Sequence, residues 1–221
     1  AEKARELGAA QVTLIAPYLA YMRQDKAFHV GEGVSAKYFA KLLSSYFDRL
    51  ITLSPHLHRI HHLAAIYTIP TTVLHVTDHI AQWINQSLTH PLLIGPDEES
   101  EQWVKCIAEK VHAPYIILQK ERLSDNTVSA VMPNIDRHRS LTPILIDDII
   151  STAQTMIAVV KQIKPLQMAP PVCIGVHAVF AENAYQQLLA AGAAKIVTCN
   201  TIQHLSNAID VSDVIARAIM G

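Results

Sequence analysis

The stretch that decides the fold is Ile144-Leu145-Ile146-Asp147-Asp148-Ile149-Ile150-Ser151-Thr152-Ala153-Gln154-Thr155-Met156. Its first three residues end the apolar run Pro143 to Ile146, which has the length and branching of a buried parallel strand. The apolar spacing that starts at Met156 is helical and stops at Pro165. A strand followed at once by a helix is typical of an α/β protein.

Two adjacent carboxylates and a turn of small polar residues lie between this strand and this helix. The first backbone N–H groups of a helix have no intrahelical partner, and the helix dipole is positive there. Ser151 to Thr155 would therefore offer amides and hydroxyls to an oxyanion, while Asp147 and Asp148 bind hydroxyls or a metal. The segment predicts a pocket for a phosphorylated sugar; the alternative is that the carboxylates only cap and hydrate the turn.

Composition narrows the class of protein and its partners. The 221 residues are 50% hydrophobic and 17% charged, with a formal net charge of −1, so the chain can bury a sizeable core. It has no apolar run near the roughly 20 residues that a membrane span needs, and no clustered basic excess for nucleic acid. Cys106, Cys173 and Cys199 are far apart, as expected for buried residues in a reducing compartment. We therefore expect a cytoplasmic protein with neither a membrane nor a nucleic acid as its partner.

Strand and helix patterns alternate along the chain. The predicted strands are Val12–Ala16, Leu50–Leu53, Pro91–Ile94, Tyr115–Leu118, Ile144–Ile146, Val172–Val176 and Lys195–Thr198. The predicted helices are Ser35–Phe47, Thr77–Gln86, Glu98–Val111, Ser151–Ile163, Asn183–Ala191 and Val211–Met220. This alternation predicts an α/β fold with doubly wound, mainly parallel sheets, in two halves that cover residues 1–75 and 76–221.

Polar residues with useful chemistry follow the predicted strands. Arg23 comes after the first strand, His56 after the second, Asp97 after the third, Lys120 after the fourth and Asp147 after the fifth. Parallel sheets bind ligands beyond the carboxyl ends of their strands, so these residues are the candidates for a binding site.

Several segments resemble motifs of the ribose-phosphate pyrophosphokinase, or PRPP synthase, family, which belongs to the type I phosphoribosyltransferase superfamily. Tyr21-Met22-Arg23-Gln24-Asp25-Lys26, Phe28-His29-Val30-Gly31-Glu32-Gly33, Pro55-His56, Pro96-Asp97, Lys120-Glu121-Arg122-Leu123-Ser124 and the opening segment match in the family's order. The second of these is similar to archaeal-type members. By comparison with the family, the chain is expected to lack about the first quarter of a synthase, which would leave two phosphoribosyltransferase-like halves with the first incomplete.

The resemblance implies transfer of the β,γ-pyrophosphoryl group of ATP to ribose 5-phosphate, with Mg²⁺ as cofactor and a homo-oligomer, dimer or hexamer, as the assembly. It implies catalytic roles for Lys120, Arg122 and His56, and ATP contacts from Arg23 and Gln24. Ribose 5-phosphate would contact Arg122, Asp147, Asp148, Ser151, Thr152, Ala153, Gln154 and Thr155, and His56 and Asp97 would hold the metal.

The residues themselves leave other roles open. Lys120 and Arg122 also fit a solvated strand end with ion pairs, and Arg23 fits a surface pair with Asp25 or Glu32. The histidine-rich run His56, His58, His61 and His62 suggests zinc, although its spacing matches no standard zinc signature.

Four departures from the family pattern keep two other functions open. Gln154 stands where the family's phosphate loop has glycine, Ser54 replaces an aspartate, and Glu98 and Glu99 follow Asp97. These changes fit a catalytically degenerate synthase-like subunit or regulator. A phosphoribosyltransferase that consumes PRPP would share the Asp147–Thr155 segment, but it has no need of Arg23, Gln24, His56 or Lys120.

Overall fold

The computed structural model describes residues 1–124, 127–131, 133 and 135–220, with the backbone alone described for 120–124, 127–131 and 136. The chain divides into two compact units. The first contains Ala1–His75 and the C-terminal helix Ser212–Met220, and the second contains Val76–Val211. The domain boundary drawn from the sequence, near residue 75, stays a prediction.

The first unit contains a parallel sheet of three strands, in the order β1-β2-β3. These are β1 (Thr13–Ala16), β2 (Arg49–Leu53) and β3 (Thr71–Leu74), and the helices are α1 (Glu2–Glu6), α2 (Ser35–Tyr46) and α7 (Ser212–Met220). Ala36 and Ala40 are the buried residues of α2 and pack with Leu50 of β2 in one apolar cluster.

The second unit is built on six parallel strands in the order β11-β10-β9-β8-β4-β5. The strands are β4 (Pro91–Gly95), β5 (Tyr115–Ile117), β8 (Thr142–Ile150), β9 (Val172–Ala178), β10 (Lys195–Cys199) and β11 (Asn207–Ile209). The helices are α3 (Thr77–Ser87), α4 (Glu101–Val111), α5 (Gln154–Ile163) and α6 (Ala184–Ala191). Every residue of β9 is buried, as expected for a central strand of a parallel sheet covered on both faces.

An antiparallel hairpin of β6 (Gln119–Ser124) and β7 (Thr127–Val131) separates β5 from β8 in the second unit. Lys120 pairs with Ala130 and Arg122 with Val128. The hairpin thus places the Lys-x-Arg segment on a strand rather than in a loop.

The predicted α/β class with mainly parallel sheets is confirmed. All seven predicted strands are present, with ends that differ by a few residues, and the structure adds β3, β6, β7 and β11. The largest difference is at β8, predicted as Ile144–Ile146, which continues to Ile150 because β9 runs beside it as far as Ala178.

Candidate functional site

The two carboxylates of the opening segment lie within strand β8, not in the turn after it. Asp147 is opposite Gly175 of β9, and the same ladder continues to Ile150 and Ala178. Ile150 is 1% exposed, so the strand stays in the core after the acidic pair. The predicted end of this strand at Ile146 was wrong, because pairing with β9 extends the strand past Asp147 and Asp148 to Ile150.

The turn after β8 covers Ser151 to Ala153. Ala153 is buried and has left-handed backbone angles, φ 56° and ψ 8°, and α5 begins at Gln154 rather than at the predicted Ser151. The carbonyl of Ala153 accepts the N–H of Ile157 at 2.8 Å. By helix geometry, the N–H groups of the first turn of α5 are available to an anion. Thr152 and Thr155 are exposed and Ser151 is half-buried.

Two backbone hydrogen bonds fasten this turn to the segment after β9. The N–H of Phe180 donates to the carbonyl of Ile150 at 2.8 Å, and the N–H of Ala181 donates to that of Ser151 at 3.1 Å. Phe180 has a φ of 36°, a left-handed value that is unusual for a bulky residue and strains the backbone. The entry to the turn is therefore held from the neighbouring strand.

Gln154 does not need the backbone freedom of glycine. The left-handed residue is Ala153, while Gln154 is the first residue of α5, is exposed, and has no positive φ. This turn therefore needs no positive φ at position 154. The Gln154 side chain nevertheless stands on the turn that is proposed to hold a phosphate.

Asp147 is in an acidic environment. Its side chain is half-buried, and burial raises the pKa of Asp147 well above its ordinary value, with further increases from the nearby carboxylates Asp148 and Asp97. The Asp147 carboxylate accepts the N–H of Asp148 at 2.9 Å. Asp97, at the end of β4, is therefore near enough to act on the pKa of Asp147 at the carboxyl edge of the same sheet.

Asp97 starts a short 3-10 turn that holds its backbone firmly. Its carbonyl accepts both the N–H and the hydroxyl of Ser100, at 3.1 and 2.6 Å, and Ser100 is 3% exposed. Glu98 and Glu99 are the exposed residues of this turn.

The donor chemistry at this edge fits a hard cation. Asp97, Asp147 and Asp148 supply carboxylate oxygens, which Mg²⁺ prefers. A cation would also relieve the like-charge repulsion that raises the pKa of Asp147. His56 belongs to the first unit and offers a nitrogen, a less suitable ligand for Mg²⁺.

The other predicted residues of the second unit, Lys120 and Arg122, are on β6. Their side chains lie outside the described part of the structure.

In the first unit, Arg23 and Gln24 are in the segment after β1, and His56 is in the segment after β2. Arg23 is exposed and His56 is half-buried, with its ring 6.4 Å from that of His58. The predicted alternative of a pair between Arg23 and Asp25 or Glu32 is not what the structure has. Asp25 pairs with Arg59, and the Glu32 carboxylate accepts backbone N–H groups instead.

A buried polar pair beside the phosphate turn was missed by the sequence analysis. His177 of β9 is fully buried, and its Nδ1 lies 2.9 Å from the hydroxyl of Thr201. That hydroxyl donates to the carbonyl of Val176 at 3.0 Å, so it accepts from His177, which places a proton on Nδ1. A lone histidine inside the apolar run Val172–Ala178 was the available signal.

An aromatic cluster at the same edge was also missed. The rings of Phe180, Tyr185 and His204 lie 4.5 to 5.4 Å apart, centroid to centroid. Burial lowers the pKa of His204, and the N–H of Ser206 donates to its Nδ1 at 3.2 Å. Both effects favour the neutral form of the His204 ring.

Two family models match the chain. The model of the phosphoribosyl transferase domain matches residues 62–213, and that of the N-terminal domain of ribose phosphate pyrophosphokinase matches residues 1–46.

The chain is also similar to individual ribose-phosphate pyrophosphokinases. A ribose-phosphate pyrophosphokinase of Sulfurisphaera tokodaii is 31% identical over 95% of this chain and 72% of its own length. One of Methanosarcina acetivorans is 32% identical over 96% of this chain and 73% of its own. The crystal structure of phosphoribosylpyrophosphate synthetase from Mycobacterium smegmatis has the same fold, with a TM-score of 0.83 and 21% identity over 99% of this chain and 74% of that one.

Among the helices of the described residues, none combines the length and the apolar character that crossing a membrane requires.

Proposed function

This chain belongs to the ribose-phosphate pyrophosphokinase family, and from that premise we propose that it makes PRPP and AMP from ATP and ribose 5-phosphate. The observation that carries the proposal is the end of β8. It joins two carboxylates, which can bind sugar hydroxyls, to a small turn and a helix N-terminus, which can bind a phosphate.

The proposed reaction is a pyrophosphoryl transfer. The anomeric hydroxyl oxygen bonds to the β-phosphorus of ATP, the bond from that phosphorus to the α,β-bridging oxygen breaks, and the hydroxyl proton is released. Such transfers depend on alignment and on neutralisation of charge that is spread over the phosphoryl oxygens.

On the sugar side, the N–H groups at the start of α5 and the hydroxyls of Ser151, Thr152 and Thr155 bind the 5-phosphate. Asp147 and Asp148 accept hydrogen bonds from the ribose hydroxyls. Because Ala181 and Phe180 fasten the turn, the phosphate fixes the position of the ring that carries the attacking hydroxyl.

On the nucleotide side, Arg23 and Gln24 contact ATP. Lys120 and Arg122 neutralise charge on the transferred group, where arginine grips oxygens in pairs and lysine acts as a point charge. Asp97 would hold Mg²⁺ through its carboxylate oxygens, and the ion would screen the polyphosphate charge when bound; the family resemblance assigns His56 to the same metal. The protein is proposed to work as a homo-oligomer in the cytoplasm, in keeping with three unpaired cysteines.

The test is AMP formation. Purified protein is incubated with ATP, ribose 5-phosphate and Mg²⁺, and AMP is measured by chromatography, with each component omitted in turn. AMP is expected when all three are present. AMP without ribose 5-phosphate would indicate an ATPase, and no AMP from protein with an intact circular dichroism spectrum would contradict the proposal.

An inactive synthase-like subunit is the second candidate, because the exposed Gln154 side chain stands on the phosphate turn and Glu98 and Glu99 add negative charge nearby. The variant Gln154→Gly separates the two. If Gln154 blocks the phosphate, the glycine variant forms AMP where the parent protein does not. If the parent protein is active, the second candidate is wrong.

A further inference from the structure

An ion pair in the first unit, between the buried Asp25 and the half-exposed Arg59, joins the segment assigned to ATP contacts with the segment that carries His56. The Asp25 side chain is 2% exposed. One of its oxygens accepts the N–H of Arg59 at 3.1 Å, and the other accepts the guanidinium Nη1 of Arg59 at 3.0 Å. Asp25 is in the segment after β1, and Arg59 is in the segment after β2.

The pair is charged at neutral pH. Burial alone would raise the pKa of Asp25, but the hydrogen bonds and the positive charge from Arg59 outweigh it and hold the pKa below its ordinary value. A buried carboxylate with these partners is rigid, since losing either partner leaves a charge without compensation.

The segment that carries Asp25 is fixed at its other side by α2. The carbonyl of Gln24 accepts the N–H of Ala36 at 3.3 Å, and the N–H of Gln24 donates to the carbonyl of Tyr21 at 3.0 Å. Gln24 is therefore held by α2 on one side and by the adjacent Asp25 pair on the other, and Arg23 directly precedes it. On the far side of the pair, His56 is three residues before Arg59.

We infer that Asp25 is a positioning residue for nucleotide binding: through Arg59 it fixes the Arg23–Gln24 segment relative to the His56 segment. The inference rests on the proposed function, which assigns Arg23 and Gln24 to ATP and His56 to the Mg²⁺ that accompanies it. Arg59 has a second effect. By neutralising Asp25, it prevents that carboxylate from competing with the ATP phosphates for the Arg23 guanidinium two residues away.

The chain offers a matched control at the opposite edge of the same sheet. Asp48 accepts the N–H of Val12 at 2.7 Å and the guanidinium of Arg5 at 2.7 Å, so it is also a carboxylate held by one amide and one arginine. Val12 and Asp48 precede β1 and β2, whereas Asp25 and Arg59 follow them. The Asp48 carboxylate, whose side chain is 36% exposed, joins the segment before β2 to Val12 and to Arg5 of α1, at the end of the strands where no nucleotide contact is proposed.

The experiment compares Asp25→Asn with Asp48→Asn in the whole protein. Calorimetry measures the Kd of α,β-methylene-ATP with Mg²⁺, because this analogue has no cleavable oxygen between the α- and β-phosphorus. Thermal unfolding measures stability. Both variants are expected to lower the Tm. Of the two, only Asp25→Asn should raise the Kd, by about tenfold or more, because it releases the segment that carries the ATP contacts; a tenfold change in Kd corresponds to about 1.4 kcal/mol of binding free energy. The KM for ribose 5-phosphate should not change.

Arg59→Gln is the second variant, because the Arg59 side chain is 44% exposed and its truncation opens no buried cavity, although it removes the countercharge of Asp25. It should also raise the Kd, and the double variant Asp25→Asn/Arg59→Gln should bind more tightly than the product of the two single effects predicts. Equal Kd values for Asp25→Asn and Asp48→Asn, or additive effects in the double variant, would overturn this inference alone. If the parent protein does not bind the analogue, the proposed function falls with it.

Discussion

Gly175→Ala should destabilise the second unit by crowding the strand that carries Asp147. A Cβ at position 175 would lie 2.6 Å from Cγ1 and 2.7 Å from Cδ1 of Ile150. Ordinary carbon contacts are about 3.5–4.0 Å. Ile150 is 1% exposed, so its side chain cannot move into solvent, and the new methyl group must displace β8 or the side chains packed around Ile150.

The size of the effect follows from two opposing contributions. Overpacking a core by one methyl group costs about 1–3 kcal/mol. Alanine also restricts the backbone of the unfolded chain, which stabilises the folded state by about 0.4–1 kcal/mol. This gain applies here because Gly175 has no positive φ that alanine would strain. The net loss is about 1.5 kcal/mol, or a Tm lower by about 3–6 °C for a chain of this length.

A double-mutant cycle with Ile150→Ala identifies the cause. Removing Cγ1 and Cδ1 makes room for the new methyl group, so the two changes together should cost less than their sum by about 1 kcal/mol. Urea unfolding followed by circular dichroism measures all four proteins. Gly8→Ala is the control, because Gly8 has a φ of +94° but no atom within 4 Å of the place where a methyl group would lie. Its effect should add to that of Ile150→Ala; additivity at Gly175 as well would refute the crowding.

Three further predictions concern the site. Asp147→Asn should raise the Tm at neutral pH, because the raised folded-state pKa of Asp147 means that the parent protein loses stability as the pH rises through it. The gain should shrink as the pH falls toward about 4, the value of an unfolded aspartate; a gain independent of pH would exclude this cause. Thr155→Val should raise the KM for ribose 5-phosphate severalfold, whereas Thr77→Val in the first turn of α3 should not, and equal KM values would remove Thr155 from the site. Lys120→Ala should mainly lower kcat, since its charge acts in the transition state; an unchanged kcat would remove it from the catalytic set.

The parallel sheets were predictable because the apolar runs of their buried strands can be identified in the sequence without knowing which strands pair. The end of β8 was not, since Asp147 and Asp148 are unfavourable in an isolated strand and are tolerated because β9 continues beside them. The hairpin was missed for the same reason. Gln119–Ser124 is polar, and only its pairing with Thr127–Val131 makes it a strand.

The candidate site was predictable as a set of segments, but not as a set of contacts. Motif order indicated Asp97, Asp147 and the turn after β8. It did not indicate that Asp25 would form its ion pair with Arg59, 34 residues away, and not with the neighbouring Arg23. Nor did it show that Ala153 takes the left-handed conformation, because that depends on how the turn meets the core.

The strand order of the second unit has a consequence for how the protein folds. β8 pairs with β9 and β9 with β10 over roughly 25 residues of chain, whereas β4 pairs with β8 across about 50, so the last pairing closes a larger loop and is entropically harder by several tenths of a kcal/mol. We expect β8, β9 and β10 to assemble first and β4 to join them in the slow step. Pulse-labelling hydrogen exchange would detect this as protection of Ile174 before Leu93. Asp97 would then reach Asp147 only at the end of folding, so the acidic repulsion between them arises after most of the core is in place.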